Sequence, residues 1–335
     1  MGSVFPNTDP TAWILRHRPS RAAADPFKPN GYFLEQERAA SGHVVSCASI
    51  LLTNKECPWR CLMCDLWRHT LEYTVPSGAI PQQIQFALGR LPGVSTHLKL
   101  YNSGSFFDVA AIPPDDYGPI ADAVARFEHV VVESHPRLVG VRALRFRDLL
   151  AGSLEVAIGL ETVHPQVMAR LNKRSDLKDF DQAVGLLVRE GISVRAFVLV
   201  GLPFLRAGES LEWTLKSVKF ARDCGVSVVS LIPTRMGNGA MEQLHQAGEF
   251  QLPTFESLEE TLEGALTITV GSTTDFRVLA DTWNLEEFAS CTKCFDGRHE
   301  RLKKMNLEQR ILPRMVCESC DGHRVGETRI DPNGY

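Results

Sequence analysis

The sequence predicts an α/β fold of parallel strands alternating with helices, followed by a small cysteine-rich extension. Between about residues 44 and 235, short apolar runs alternate with segments of helical apolar spacing, a pattern typical of strands buried on both faces by helices. Near the C-terminus, two C-x2-C pairs are separated by 22 residues, which is the spacing of a four-ligand metal site. The 335 residues suffice for one large domain with a small appendage.

Six strands and the helices between them can be placed in order. Strands are predicted at 44–52, 97–101, 129–133, 154–160, 193–200 and 226–232, and helices at 81–91, 114–127, 142–151, 177–189 and 209–223. Ser175 is the expected N-cap of the helix at 177–189, and Gly191 lies just past its end. Such units fit either an open doubly wound sheet or a partial barrel, and strand periodicity does not distinguish the two.

Composition indicates a cytoplasmic protein that does not enter a membrane. No apolar run approaches the roughly 20 residues needed to span a bilayer, and the N-terminus lacks a charged-then-apolar signal pattern. Most of the nine cysteines fall in two clusters, which indicates metal ligation in a reducing compartment. The net charge of −4 offers no overall attraction for nucleic acid, although it leaves a local basic patch open.

Cys57, Cys61 and Cys64 follow the first predicted strand with C-x3-C-x2-C spacing. Three thiolates can ligate three irons of a [4Fe–4S] cluster, and no fourth cysteine follows at ferredoxin-like spacing, so one iron would remain open. The alternatives are a structural zinc site and three ordinary buried cysteines. An open cluster is the preferred interpretation because zinc sites usually use paired C-x2-C knuckles.

This spacing resembles the signature of the radical S-adenosylmethionine (SAM) superfamily. The resemblance implies a partial, TIM-like (β/α)6 barrel with the cluster loop after its first strand. It also implies that the reduced cluster cleaves SAM bound to the open iron, so that hydrogen is abstracted from a substrate. The expected organisation is an N-terminal lead-in segment (1–43), a radical SAM core (44–270) and a C-terminal extension with a four-cysteine site (271–335).

The resemblance further implies a SAM site at the carboxyl ends of the strands. The candidate SAM contacts are Ser103, Gly104, Glu133, Glu161, Arg174 and Gly201. Arg174 is preferred to Lys173 because a guanidinium binds a carboxylate through two hydrogen bonds. The structural alternatives are ordinary strand-end turns, an internal salt bridge for Glu133 and a solvated basic turn around Arg174. Arg235 and Asn238, after the sixth strand, are expected to face substrate.

The C-terminal cysteines form the second predicted metal site. Its ligands are Cys291, Cys294, Cys317 and Cys320. Zinc and an auxiliary [4Fe–4S] cluster both fit the spacing, with zinc preferred, and either would clip the extension or relay electrons. Cys47 and Cys224 are expected to be buried packing residues. The basic and aromatic stretch at 13–21 is interpreted as a solvated lead-in helix rather than a base-stacking surface.

Longer segments, at 102–108, 159–165, 171–174 and 232–239, resemble the predicted iron–sulfur oxidoreductases that include the radical SAM subunit of archaeosine synthase. These share the core of the elongator catalytic subunit and the MiaB methylthiotransferases. The resemblance implies C–N cleavage on a modified nucleoside in tRNA, a flavodoxin- or ferredoxin-like electron donor, and contact with tRNA or a tRNA-binding partner. A radical SAM enzyme acting on a small metabolite or peptide, and a non-catalytic metal-binding scaffold, remain open alternatives.

Overall fold

The computed structural model describes residues 3–206, 208–269 and 275–321, and one curved sheet of eight strands runs through them. The strands follow one another in chain order across the sheet. β1 is antiparallel to β2, and every later neighbouring pair is parallel. The strands are β1 (Gly31–Arg38), β2 (Val44–Leu51), β3 (His97–Tyr101), β4 (His129–Ser134), β5 (Ser153–Glu161), β6 (Ser193–Val200), β7 (Val228–Pro233) and β8 (Arg277–Ala280).

Helices connect the parallel strands and flank the sheet. They are α1 (Pro10–His17), α2 (Ala79–Leu88), α3 (Tyr117–Val124), α4 (Val141–Leu149), α5 (Pro165–Arg170), α6 (Leu177–Arg189), α7 (Glu209–Asp223), α8 (Ala240–Gln246), α9 (Phe255–Thr269), α10 (Thr292–Glu308) and α11 (Glu318–Asp321). Within the described ranges, four 3-10 turns cover Leu66–His69, Pro114–Asp116, Pro136–Leu138 and Leu285–Phe288. No helix in the described part of the chain combines the length and the apolarity that crossing a bilayer requires.

The predicted partial barrel of parallel strands is confirmed, and the six predicted strands are β2 to β7. The structure adds one strand at each edge of the sheet, β1 and β8. Both lie outside the predicted core at 44–270, although they share its sheet; the proposed division into three segments stays a prediction. The predicted N-cap at Ser175 is wrong: Asp176 caps α6 in a reciprocal capping box with Asp179.

The two faces of the sheet differ in character. On the outer face, α6 buries Phe180, Ala183, Val184 and Leu187, one helical stripe, against the strands. Leu98 and Leu100 of β3 are fully buried in the same core. Lys99 lies between them and points to the opposite, inner face, because side chains alternate along a strand.

Charged side chains cross the interior of the half-barrel. Lys99 donates to Glu35 at 2.8 Å and also to Glu37, both on β1. Arg195 of β6 donates to Glu37 at 2.5 Å and to Glu155 of β5 at 2.6 Å. Removal from water raises the pKa of Glu37, but the charges of Arg195 and Lys99 outweigh this effect and hold it at about 2. β1 is therefore tied to the far strands by buried ion pairs.

Helix α10 covers the outer edge of β8. The side-chain amide of Asn306 accepts from the N–H of Ala280 at 2.8 Å and donates to its carbonyl at 2.7 Å. Gln309 bonds Val278 in the same way, at 2.9 and 2.8 Å. Two side chains thus take the place of a neighbouring strand and satisfy backbone groups at an edge that could otherwise pair with another chain.

Candidate cofactor site

A cavity of about 680 Å³ occupies the inner face of the sheet and reaches the carboxyl ends of its strands. Cys57, Cys61 and Cys64 line it, and they are the only cysteines among the described residues that do so. The predicted strand-end residues that also line it are Ser103, Gly104, Glu133 and Glu161. The structure therefore brings seven of the predicted cofactor residues together around one space.

The cysteine loop, residues 57–64, is held by side chains from distant parts of the chain. The amide of Asn172 donates to the carbonyl of Arg60 at 2.7 Å. The amide of Asn238 donates to the carbonyls of Leu62 at 2.7 Å and Cys64 at 3.2 Å. Asn238 is only 2% exposed. It therefore supports the cysteine loop, whereas the sequence led us to expect it to face substrate.

Glu56, directly before the loop, anchors the N-terminal segment. Its carboxylate accepts from Arg18 at 2.7 Å and Arg21 at 2.6 Å, and pairs with Arg60 at 3.2 Å. Arg18 also lies 4.4 Å from the ring centroid of Trp67. The predicted lead-in helix is present as α1. The basic residues Arg18 and Arg21 that follow it are paired with Glu56, beside the cysteine loop, rather than solvated.

Glu133, at the end of β4, shapes the turn after β3. Its Oε1 accepts from the N–H groups of Asn102 at 2.5 Å and Gly104 at 3.4 Å. Removal from water raises the pKa of Glu133 to about 7, although these N–H groups lower it. A Cβ on Gly104 would lie 3.3 Å from the Cβ of Cys57. The turn therefore approaches the cysteine loop closely, which a glycine permits.

Of the two neighbouring basic residues in this turn, Lys173 lines the cavity and Arg174 does not. Lys173 is 6% exposed, lines the cavity and donates to Glu161 at 2.6 Å and to the carbonyl of Gly159. Arg174 is exposed, has a left-handed φ of 59° and donates to Thr11 at 3.3 Å. The chain turns between these two neighbours, so their side chains leave in different directions.

Gly201 lies outside the cavity lining. Its φ is 73°, and a Cβ there would lie 2.7 Å from the Cβ of Pro253. Glycine at this position is thus explained by backbone conformation and by close packing. Its contact with the adenine of SAM stays a prediction.

An aromatic stack in the cavity wall was missed by the sequence analysis. Trp59, inside the cysteine loop, stacks on His135 with centroids 3.8 Å apart and planes 7° apart. His135 Nε2 donates to the carbonyl of Lys173 at 3.0 Å, and Nδ1 accepts from the N–H of Arg137 at 3.3 Å. These partners require the neutral ring. Burial and the charge of Lys173 accordingly lower the pKa of His135 to about 3.

Arg235, expected to face substrate, does line the cavity at the end of β7. It is paired with Asp281 at 3.2 Å and with Glu287. Its guanidinium also donates to the carbonyl of Trp283 at 2.5 Å. Arg235 therefore fixes the segment after β8 as part of the cavity wall.

The three thiols fit an iron–sulfur cluster with one open iron. Burial raises the pKa of Cys57, Cys61 and Cys64 to about 12, so the metal-free thiols hold their protons. Metal binding must displace those protons. Because no fourth described cysteine lines the cavity, the donor set matches three corners of the cube. The volume suits a small-molecule cofactor beside the cluster.

The predicted group of C-terminal cysteines is also present. The sulfur atoms of Cys291, Cys294, Cys317 and Cys320 all lie within 4.8 Å of one another. This group uses the starts of α10 and α11 and lies outside the main cavity. Cys47, by contrast, is buried within β2, as expected for a packing residue.

No protein-family model matches the chain. It is 22% identical over 263 residues to an uncharacterised protein of Methanocaldococcus jannaschii, covering 74% of this chain and 72% of that one. It is 26% identical over 211 residues to archaeosine synthase subunit beta of Thermococcus kodakarensis, covering 60% and 65% of the two chains. For the same subunit of Methanosarcina acetivorans, the values are 25% over 175 residues and 50% of each chain. The match thus spans about half to two thirds of the archaeosine synthase relatives.

Solved structures share the fold at low identity. Elp3 of Methanocaldococcus infernus superposes with a TM-score of 0.50 and 16% identity, covering 71% of this chain and 60% of that one. SuiB of Streptococcus suis bound to S-adenosylmethionine gives 0.51 and 10%, covering 69% and 49%. At these identities the likeness shows a shared fold. The resemblance found in the sequence, to the radical SAM superfamily and to archaeosine synthase subunits, is confirmed.

Proposed function

We propose that the protein is a radical SAM enzyme in which Cys57, Cys61 and Cys64 hold a [4Fe–4S] cluster. The observation that carries the proposal is that three cysteines, with no fourth among the described residues, line a cavity at the strand ends. When bound, the reduced cluster supplies the electron that cleaves a carbon–sulfur bond of SAM and so starts hydrogen abstraction from substrate. The chain's own residues place SAM and substrate and keep water out.

The residues nearest the cysteine loop form the proposed SAM cradle. The turn at Ser103 and Gly104 presents backbone groups beside Cys57, and Glu133 provides the carboxyl that orders this turn. We assign the contact with the SAM carboxylate to Lys173 rather than to Arg174, because Lys173 lines the cavity and Arg174 does not. The flat face of the Trp59–His135 stack bounds the same space.

The deeper half of the cavity is proposed to hold substrate. The cavity lining includes apolar and small side chains, among them Ala157, Phe197 and Leu199. Among the groups that line the cavity, neither Oε2 of Glu35 nor the hydroxyl of Tyr101 has a hydrogen-bond partner in the described part of the chain. Both can accept a hydrogen bond. A substrate with an apolar body and a hydrogen-bond donor at one end suits this space.

We propose two alternative substrate classes. The relatives named archaeosine synthase subunit beta favour a modified nucleoside in tRNA as the substrate, with cleavage of a C–N bond. This reaction would require a flavodoxin- or ferredoxin-like electron donor. It would also require contact with tRNA or with a tRNA-binding partner. The net charge of −4 favours instead a small metabolite or peptide, because RNA binding usually relies on a basic surface. The alternative to both classes is a metal-binding scaffold that catalyses no reaction.

The first experiment tests SAM cleavage. Protein reconstituted anaerobically with iron and sulfide is incubated with dithionite and SAM, and 5′-deoxyadenosine is measured. The wild type is expected to form it, and Cys61→Ala is expected to form none. Cys47→Ala is the matched control, because Cys47 is buried in β2 and does not line the cavity. Absence of product from the wild type, or equal product from Cys61→Ala, contradicts the proposal.

The second experiment separates the substrate classes. Modified nucleosides in tRNA are compared by mass spectrometry between cells with and without the gene, and between cells complemented with wild type or Cys61→Ala. A nucleoside that disappears with the gene and returns only with the wild type supports tRNA. An unchanged profile rules out the tRNA class and leaves the small-molecule class.

A further inference from the structure

The geometry points to a single tetrahedral zinc ion, rather than an iron–sulfur cluster, at Cys291, Cys294, Cys317 and Cys320. This site is separate from the proposed SAM chemistry and goes beyond it. The zinc ion fastens the start of α10 to the chain segment that returns along that helix. Three independent features carry the inference: the distances between the sulfur atoms, the placement of the two cysteine pairs, and the packing of the returning segment.

The sulfur distances distinguish one ion from a cluster. Zn–S bonds of about 2.3 Å place the sulfurs of a tetrahedral site about 3.8 Å apart. The sulfurs of Cys294 and Cys320 are 3.7 Å apart, and all four lie within 4.8 Å of one another. In a cube-shaped cluster each thiolate binds a different iron at a separate corner, which spreads the sulfurs farther than one ion does. The observed separations fit the single ion.

The two cysteine pairs are built alike. Cys291 is the N-cap of α10, and Cys294 lies in its first turn. Cys317 precedes α11, and Cys320 lies within it, with its N–H donating to the Cys317 carbonyl at 2.9 Å. Each pair therefore extends from one helix start, as in paired C-x2-C knuckles. Four thiolates are the soft, tetrahedral donor set that zinc prefers.

The returning segment reaches the site through contacts that need no metal. Arg301 of α10 is buried and donates to the carbonyls of Leu312 at 2.5 Å and Pro313 at 2.8 Å. Gly297 faces Met315, and a Cβ at this glycine would overlap the methionine sulfur. These contacts align residues 312–315 with α10, so the second cysteine pair arrives beside the first.

The site also bears on the main cavity. The far end of α10 carries Asn306 and Leu307, which line the cavity, and Asn306 bonds the edge of β8. A zinc ion at the start of α10 therefore fixes a helix whose other end forms a cavity wall. Its role is positional, because four protein ligands leave no position open for substrate.

The test is the metal content of the full-length chain. In a Cys57→Ala, Cys61→Ala, Cys64→Ala triple variant, zinc is expected at about one per chain, with neither iron nor acid-labile sulfide. Adding Cys317→Ser and Cys320→Ser is expected to remove the zinc, whereas adding Cys224→Ser is expected to retain it. X-ray absorption at the zinc edge of the wild-type protein, which needs no variant, is expected to show four sulfur neighbours at about 2.3 Å.

Each other outcome overturns the inference. Iron with sulfide in the triple variant indicates an auxiliary cluster, iron without sulfide indicates a mononuclear iron site, and wild-type protein without a fourfold-sulfur zinc signal indicates that no zinc is bound there. The metal measurement does not depend on SAM cleavage. Failure of this inference and failure of the proposed function are therefore seen in different assays.

Discussion

Replacing Glu133 with glutamine is predicted to remove a pH dependence from SAM binding. The pKa of Glu133 is raised to about 7 by removal from water, and its Oε1 holds the turn at Asn102 to Gly104. In the proposed cradle, an ionised Glu133 accepts a hydrogen bond from the cofactor and offsets its positive charge. Glu133→Gln keeps the size of the side chain and its carbonyl oxygen but cannot ionise.

The size of the effect follows from the pKa. With a pKa of about 7, roughly one eleventh of the Glu133 side chains are ionised at pH 6 and roughly ten elevenths at pH 8. SAM that binds only the ionised form therefore gains about tenfold in affinity, or about 1.4 kcal/mol, across this range. For the cofactor-free protein the same shift has the opposite consequence. Between pH 4.5 and about 7 the native state retains a proton that the unfolded chain releases, so stability falls as pH rises.

The assay is equilibrium dialysis of radiolabelled SAM against cluster-loaded protein at pH 6, 7 and 8. Because the amino group of SAM also titrates, the tested quantity is the difference in slope between wild type and Glu133→Gln. Asp116→Asn is the matched control: Asp116 is buried and accepts the N–H of Gly78 at 2.7 Å, but it does not line the cavity. Equal slopes for wild type and Glu133→Gln would refute the reasoning.

Two further predictions concern the cysteine loop and the buried ion pairs. Gly104→Ala places a methyl 3.3 Å from the Cβ of Cys57 and is expected to lower the iron content of the purified protein. Gly93→Ala, whose Cβ would have no neighbour within 4 Å, is expected to keep the wild-type iron content. Equal iron contents in the two variants contradict this prediction. Arg195→Met leaves buried carboxylates, Glu37 among them, without a guanidinium, and is expected to lower the free energy of unfolding in urea at pH 7 by about 3–5 kcal/mol. Because the pKa of Glu37 is held at about 2, its contribution is present above pH 4.5 and lost as pH falls toward 2, so the gap between wild type and variant should narrow in acid.

The sequence predicted the parts of the fold whose signal is local. β3, β6, α6 and α7 begin and end where apolar periodicity places them. β1 was missed because Glu35 and Glu37, which face the interior and pair with cations on distant strands, interrupt its apolar pattern. β8 was missed because four residues give too little periodicity. Neither strand could be identified without knowing its partners.

Within the candidate site, too, the sequence predicted local features but not those that depend on the tertiary fold. The spacing of Cys57, Cys61 and Cys64 is a local property, and so is the appearance of polar residues after strands. The choice between Lys173 and Arg174 depends on the left-handed backbone of this turn, which a sequence pattern does not specify. The Trp59–His135 stack joins two loops that only the tertiary fold brings together.

The supports of the cysteine loop have a consequence for how the protein matures. Asn238 lies 174 residues beyond Cys64, whose carbonyl it binds, and Asn172 lies 112 residues beyond Arg60. Contacts between such distant residues form slowly, because long segments must close first. A nascent chain therefore exposes its three cysteines long before the residues that shape their loop have been synthesised. Iron delivered during translation would meet an unstructured peptide, so insertion of the proposed cluster is expected to be a late event that follows the folding of the barrel.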